Sequence, residues 1–290
     1  MGAIEGLGKF GVYTFDFEDV SAARMRESIQ ELEAQGWRAF WFPELLGREA
    51  FTHAGYLLAS TERMVIVNGI AQISAHPAPW AYAASLLLAD AYPGRHVFGL
   101  GYGAPKPGVK PLAAMTEYLD ELDSLETPNP LPEVPVRRIL AAYGPKMMRL
   151  ARDRADGVQI YHGNVALTGQ AREILGADAF LAAEHAVLFE PDPGKARAIA
   201  REHLHTYLTT PYNIAKFKRL GYTDEEIANG GSDRLVDDLV FWGDLDTIIK
   251  KLHGHLEAGA DHVAVQVIGI EPGQSAMPHW RSLGEALLDT

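Results

Sequence analysis

Gly144-Pro-Lys-Met147 is the segment of this 290-residue chain whose residue types and spacing point most directly to chemistry. A short apolar run, Ile139 to Ala142, precedes it, and Pro145 suits the first helical position because its missing N–H would have been unpaired there anyway. A helix starting at Pro145 aims its free N–H groups and the positive end of its dipole at whatever lies beyond the strand. With Lys146 alongside, a phosphate or carboxylate could dock there. An ordinary strand-to-helix turn has the same local pattern.

Other chemistries find less support. His203-x-His205 and His253-x-His255 fall on expected helices, where a two-residue step separates the rings by roughly 200° and prevents a shared ion, so both pairs read as surface residues. Glu184 and His185 are neighbours on an expected strand and should face opposite ways. No metal site is expected. The chain has no Cys, and no Gly-x-Ser-x-Gly elbow marks a serine nucleophile. Gly99-Leu-Gly-Tyr-Gly103 is glycine-rich without being the dinucleotide fingerprint; it could let a flat ring approach the backbone or simply turn the chain.

The elements that must position these residues alternate. Strands are expected at 8–15, 39–42, 65–73, 96–100, 139–142, just before Tyr161, at 179–189 and at 260–268, with helices between them. Further helical pieces at 212–220, 224–228 and 233–241 form an insertion before the last strand. Eight strands alternating with helices predict one (β/α)8 TIM-barrel domain over residues 1–290, with an open doubly wound sheet as the competitor. A barrel places its site at the carboxyl ends of the strands, where Tyr13, Glu44, Gly69, Ile70, Tyr102, Ala142, Tyr161 and His162 fall.

Composition narrows the partners. The formal charge is −12, with 26 Lys and Arg against 38 Asp and Glu, which disfavours a nucleic-acid surface. No apolar run reaches the roughly 18 residues of a membrane span, and Met1 to Lys9 lack a secretory pattern, so a soluble cytoplasmic protein is expected.

In order along nearly the whole chain, Trp41-Phe-Pro-Glu44, Arg48-Glu-Ala-Phe-Thr-His53, Gly69-Ile70, Ala91-Tyr-Pro-Gly-Arg95, Phe98-Gly-Leu-Gly101, Ala142-Tyr-Gly-Pro-Lys-Met147, Trp242-Gly-Asp244 and Ala258-Gly-Ala-Asp-His262 resemble the bacterial luciferase-like family, especially its coenzyme F-420-dependent oxidoreductase branch. The resemblance implies a luciferase-like barrel whose mouth holds a deazaflavin ring, with the cofactor phosphate at Ala142, Gly144, Pro145, Lys146 and Met147, and Tyr13 and Tyr161 nearby. It implies a non-proline cis peptide at Gly69-Ile70 behind the ring. It also implies hydride transfer between the deazaflavin and a small-molecule substrate, and a homodimer. FMN-dependent monooxygenation is the alternative, and a barrel that binds a phosphorylated ligand without redox chemistry is a third.

Two departures stand out. Relatives often follow the acidic residue of the second strand with His, whereas Glu44 is followed by Leu45; the fourth-strand glycine is followed by Tyr102 rather than Glu. Glu44 and His76 are then the proton-transfer candidates, and Trp80, Tyr102, His162 and Tyr212 the substrate-lining ones. Lys106, Lys110 and Lys146 are the cations placed to receive an anionic cofactor.

Overall fold

A strand buried on both faces must be apolar at consecutive positions, and Ala39-Phe-Trp-Phe42 and Val65-Ile-Val67 have that pattern. The computed structural model, which describes residues 4–45, 47–103, 108–271 and 273–288, places both in one parallel barrel. Its strands are β1 (Phe10–Tyr13), β2 (Ala39–Phe42), β3 (Val65–Asn68) continued by β4 (Ala71–Gln72), β5 (His96–Gly101), β6 (Arg137–Ala141), β7 (Gly157–Ile160) and β8 (Phe180–Leu188). After a short β9 (Val240–Trp242), β10 (His262–Val267) pairs with both β1 and β8 and closes the ring. The expected (β/α)8 architecture is the one observed.

Helices cover the outside. Ser21 caps α1 (Ala22–Ala34) by accepting the Arg24 N–H at 3.3 Å. Then follow α2 (Ala50–Ser60), α3 (Ala78–Ala91), α4 (Pro111–Ser124), α5 (Pro145–Arg154), α6 (Val165–Leu175) and α7 (Pro193–Leu208). The expected insertion is present as α8 (Pro211–Arg219), α9 (Asp224–Ile227) and α10 (Asp233–Leu239), before α11 (Leu245–Glu257) and α12 (Met277–Leu287). Among the described residues no helix is long and apolar enough to cross a membrane.

Period-two alternation divides each strand between two cores. The outer one lies between barrel and helices. The lumen takes Tyr13, Trp41, Val67, Val97, Ile139 and Phe180, and the Trp41 indole N–H reaches His262 Nε2 at 2.9 Å across it.

Three expectations need correction. Residues 65–73 form two strands because the Gly69–Ile70 peptide is cis and interrupts the ladder there. Val240 and Phe241 were expected to end a helix but, with Trp242, pair with Ala186 to Leu188, the part of β8 that extends past β7. An apolar Val-Phe-Trp run serves either element, and an unpaired edge in space decided between them. The histidine pairs are not both on the surface. His255 is fully buried, bonded to Thr168 Oγ1 at 2.8 Å and to His185 at 2.9 Å, and His203 packs its ring 5.1 Å from that of His162. Each pair does split across its helix, since His205 and His253 are exposed.

Candidate active site

The carboxyl ends of the strands surround a cavity of about 790 Å³, within the range of small-molecule sites. Its floor is the top of the lumen, Tyr13 and Gln159; one wall is Gly69, Ile70 and Gly101; the opposite rim is Tyr143 to Met147. Helix α8 of the insertion overhangs it with Tyr212, Ala215 and Arg219.

The rim is built for an anion. α5 begins at Pro145 as expected, and its N-cap, Gly144, offers no side chain to its N–H groups. Lys146, Arg149 and Arg219 all line the cavity at this end, and Arg219 is fixed by donating to the Tyr143 carbonyl at 3.1 Å. An uncapped helix start with three cations around it offers N–H donors and positive charge to an anion.

The wall is close-packed backbone. A Cβ at Gly69 would lie 3.0 Å from the Tyr13 ring and 3.2 Å from the Gln159 amide, and one at Gly101 would lie 2.5 Å from the Ile70 side chain. Both glycines let the wall pack without side chains of its own at these positions. The Tyr13 hydroxyl donates to the Gly69 carbonyl at 2.8 Å, which holds the cis segment against the floor.

Glu44 lines the cavity and is 8% exposed, though its carboxylate is heavily engaged. One oxygen accepts the Gln72 N–H at 2.7 Å; the other meets the Ala50 N–H at 3.2 Å and His76 Nε2 at 2.5 Å. The hydrogen bond to Glu44 raises the His76 pKa against the opposing effect of burial. Glu44, Glu49 and His76 have ligand atoms within 4.8 Å of one another, a grouping the sequence did not suggest. Both Glu49 oxygens accept N–H groups at the start of α2, at 2.9 and 2.6 Å, so hydrogen bonds account for the cluster.

A buried ionisable pair lies behind the cavity. Lys216, on α8, is 1% exposed and donates to the carbonyls of Tyr161 at 3.2 Å and His162 at 2.7 Å, with its ammonium 4.5 Å from the Tyr143 ring centre. Burial pulls its pKa down to about 7. Glu184, fully buried in the lumen, accepts the His162 N–H at 2.9 Å, and burial pushes its pKa up to about 8.

Most of the expected site residues converge. Tyr13, Glu44, Gly69, Ile70, Tyr102, Gly144, Pro145, Lys146, Met147, Tyr161 and Tyr212 all line the cavity. Five others do not, for local reasons. Ala142 faces the outer core, and strand alternation gives the cavity Ala141 and Tyr143 instead. His162 turns away at φ 48° and stacks behind Tyr161 and Tyr207 at 4.0 and 4.2 Å. Trp80 is 75% exposed on the first turn of α3, whose buried face is Ala78, Ala81, Ser85 and Leu88. His76 stands behind Glu44, edge-on to Phe51 at 5.0 Å. Lys110 is exposed just ahead of α4, and Lys106 lies outside the described residues.

Other lining residues had not been singled out. Arg149 had a signal, one helical turn from Lys146, and Gln159 had one as a lone polar residue within an apolar strand. Arg219 had none, since it arrives from the insertion, and neither had Tyr207, at the end of α7.

Fold and mouth together define a (β/α)8 barrel protein with a cation-rimmed cavity at the carboxyl ends of its strands. The chain belongs to the luciferase-like monooxygenase family, whose model matches residues 9–262. A protein of Mycobacterium tuberculosis provisionally named a coenzyme F-420-dependent oxidoreductase is 25% identical over 311 aligned positions, covering 82% of this chain and 89% of the relative. Among solved structures, the coenzyme F-420-dependent tetrahydromethanopterin reductase of Methanopyrus kandleri superposes with a TM-score of 0.74 at 16% identity, covering 96% of this chain and 97% of its own. An F-420-dependent secondary alcohol dehydrogenase, solved with an F-420–acetone adduct, gives 0.71 at 18% identity over 90% and 93%. At such identities the superpositions show the shared fold.

Proposed function

We propose that this protein is an oxidoreductase that uses coenzyme F-420 for hydride transfer to or from a small organic substrate. The observation that carries this reading is the pairing, in one cavity, of a cationic helix start at Gly144 to Met147 with a wall of Gly69, Ile70 and Gly101. The name of the mycobacterial relative supports the choice of deazaflavin.

Within this reading the N–H groups at the start of α5, with Lys146, Arg149 and Arg219, hold the phosphate. Gly69, Ile70 and Tyr13 back the ring. When bound, the deazaflavin supplies the hydride chemistry at its carbon 5. The protein's part is to position the substrate, keep water out and manage a proton. Tyr102, Tyr143 and Tyr212 form the substrate-facing aromatic surface, with α8 as the cover. Burial raises the Tyr143 pKa, so that hydroxyl stays protonated. Glu44 is the carboxylate that faces the cavity, and His76 behind it shares a proton along the Nε2–Oε1 contact. Leu45 and Tyr102 stand where relatives carry His and Glu, which makes this pair the proton-handling group.

Parallel titration of cofactor-free protein with coenzyme F-420 and with FMN, read by quenching of cofactor fluorescence, tests the assignment. Tighter binding of F-420 is expected. A preference for FMN would move the assignment to flavin-dependent monooxygenation, and binding of neither would refute it.

A further inference from the structure

We infer that the Gln159 carboxamide reads the edge of the bound ring and selects one that carries an N–H beside a carbonyl, the cyclic imide of a pyrimidinedione. This rests on the reading of the cavity as a ring-binding site.

Gln159 lies on β7, which pairs with β6 at Ala141 and with β8 at Ala182. Both register partners are alanines, too short and too apolar to engage its amide. The residue is 1% exposed and belongs to the cavity floor, yet among the described residues neither Nε2 nor Oε1 has a hydrogen-bond partner. Among the described lining residues, Gln159 is the one with its polar side-chain atoms buried and unpartnered. Buried polar atoms are nearly always paired, so a complete vacancy at the floor of a binding cavity points to a ligand.

The neighbours are committed elsewhere. The Tyr13 hydroxyl is taken by the Gly69 carbonyl at 2.8 Å, and the Tyr161 hydroxyl by Tyr207 at 3.0 Å and Gln266 at 3.4 Å. Gly69 lets the backbone pack close beside the amide, since a Cβ there would lie 3.2 Å from Nε2 and 3.5 Å from Oε1 of Gln159, so the cavity side is the side left for a ligand.

The chemistry of the amide defines what fits. A carboxamide presents one donor and one acceptor side by side, and rotation exchanges them, so its complement is a ring edge with an acceptor next to a donor. A phosphate or carboxylate would meet Oε1 unfavourably, and a hydrocarbon edge would leave both atoms unpaired. A pyrimidinedione satisfies both at once. Sites built around such pairing discriminate strongly against analogues that lack the group.

The test is fluorescence-quench titration of the full-length protein with 8-hydroxy-5-deazariboflavin and with its derivative methylated at the imide nitrogen. These probes lack the phosphate and report the ring alone. Wild type is expected to bind the parent about ten-fold or more tightly than the methylated ring, the scale of one lost buried hydrogen bond with its partner left unsatisfied. Gln159→Leu, close in size, should bind the two alike, with the parent weakened to the level of the methylated ring. Gln159→Met serves if the leucine variant does not fold. Equal affinity of wild type for both rings, or discrimination that survives in the variant, would overturn the role of Gln159 while leaving the cavity assignment standing. Failure of wild type to bind either ring would overturn both.

Discussion

His76 Nε2 lies 2.5 Å from Glu44 Oε1, joining the turn after β4 to the end of β2 at the one carboxylate the described cavity wall presents. The same carboxylate accepts the N–H groups of Ala50 and Gln72. It is therefore a structural clamp as well as the proton-handling candidate, and the two roles can be separated by experiment.

Glu44→Ala should destabilise the fold by about 2–4 kcal/mol, because two buried N–H groups lose their acceptor together with the histidine partner. Glu44→Gln keeps one acceptor and should cost less. Urea denaturation of both variants checks the order, and a Glu44→Ala protein as stable as wild type would show that the clamp is not needed.

The His76 contribution should depend on pH. Its folded pKa is raised by the hydrogen bond to Glu44, so native protein holds the proton more tightly than unfolded chain. The stabilisation is fully present below the ordinary histidine value near 6.5 and is lost as pH rises through the raised folded value. The difference in unfolding midpoint between wild type and His76→Gln should therefore be largest in mild acid and shrink in alkali.

Glu184 and Lys216 should work in opposite senses. Glu184 has a folded pKa of about 8 against an ordinary 4.5, so its contribution is full below 4.5 and is lost as pH rises to about 8. Lys216 has a folded pKa of about 7 against 10.5, so stability is gained as pH rises between those values. Wild type should lose roughly 3–5 kcal/mol relative to Glu184→Gln between pH 4.5 and 8. Parallel profiles for the two proteins would show that Glu184 does not titrate in that interval.

Lys146→Ala and Arg149→Ala should each weaken binding of phosphate-bearing F-420 by about ten-fold, the value of one charge-assisted hydrogen bond. Binding of the ring-only deazariboflavin should change less than about two-fold in the same variants. Equal weakening of both ligands would place the phosphate away from α5.

Tyr212 stacks on Tyr143 with ring centres 6.1 Å apart and planes within 18°, tying α8 to the rim. Such a pair contributes about 0.5–1.5 kcal/mol, so Tyr212→Ala should speed cofactor release by roughly two- to ten-fold in stopped-flow measurements. An unchanged rate would mean that α8 does not restrain the ligand.

The sequence by itself determined what depends on local geometry. Pro145 after Gly144 starts α5, Ser21 caps α1, and the apolar runs at 39–42 and 65–68 become buried parallel strands. The barrel class then put Tyr13, Glu44, Gly69 and Tyr102 at strand ends that converge on one mouth. Tertiary structure decided what depends on pairing across the chain. β9 exists because β8 extends past β7 and leaves an edge to be paired. Ala141 rather than Ala142 reaches the cavity because the barrel selects one of two alternating faces, and local pattern does not say which. Arg219 meets the mouth, and Lys216 lies buried behind it, only because the insertion folds back over it, while the end of α7 brings Tyr207 there. The unpaired state of Gln159 is likewise tertiary: composition shows a glutamine in a strand, and only the packed lumen shows that nothing among the described residues satisfies it.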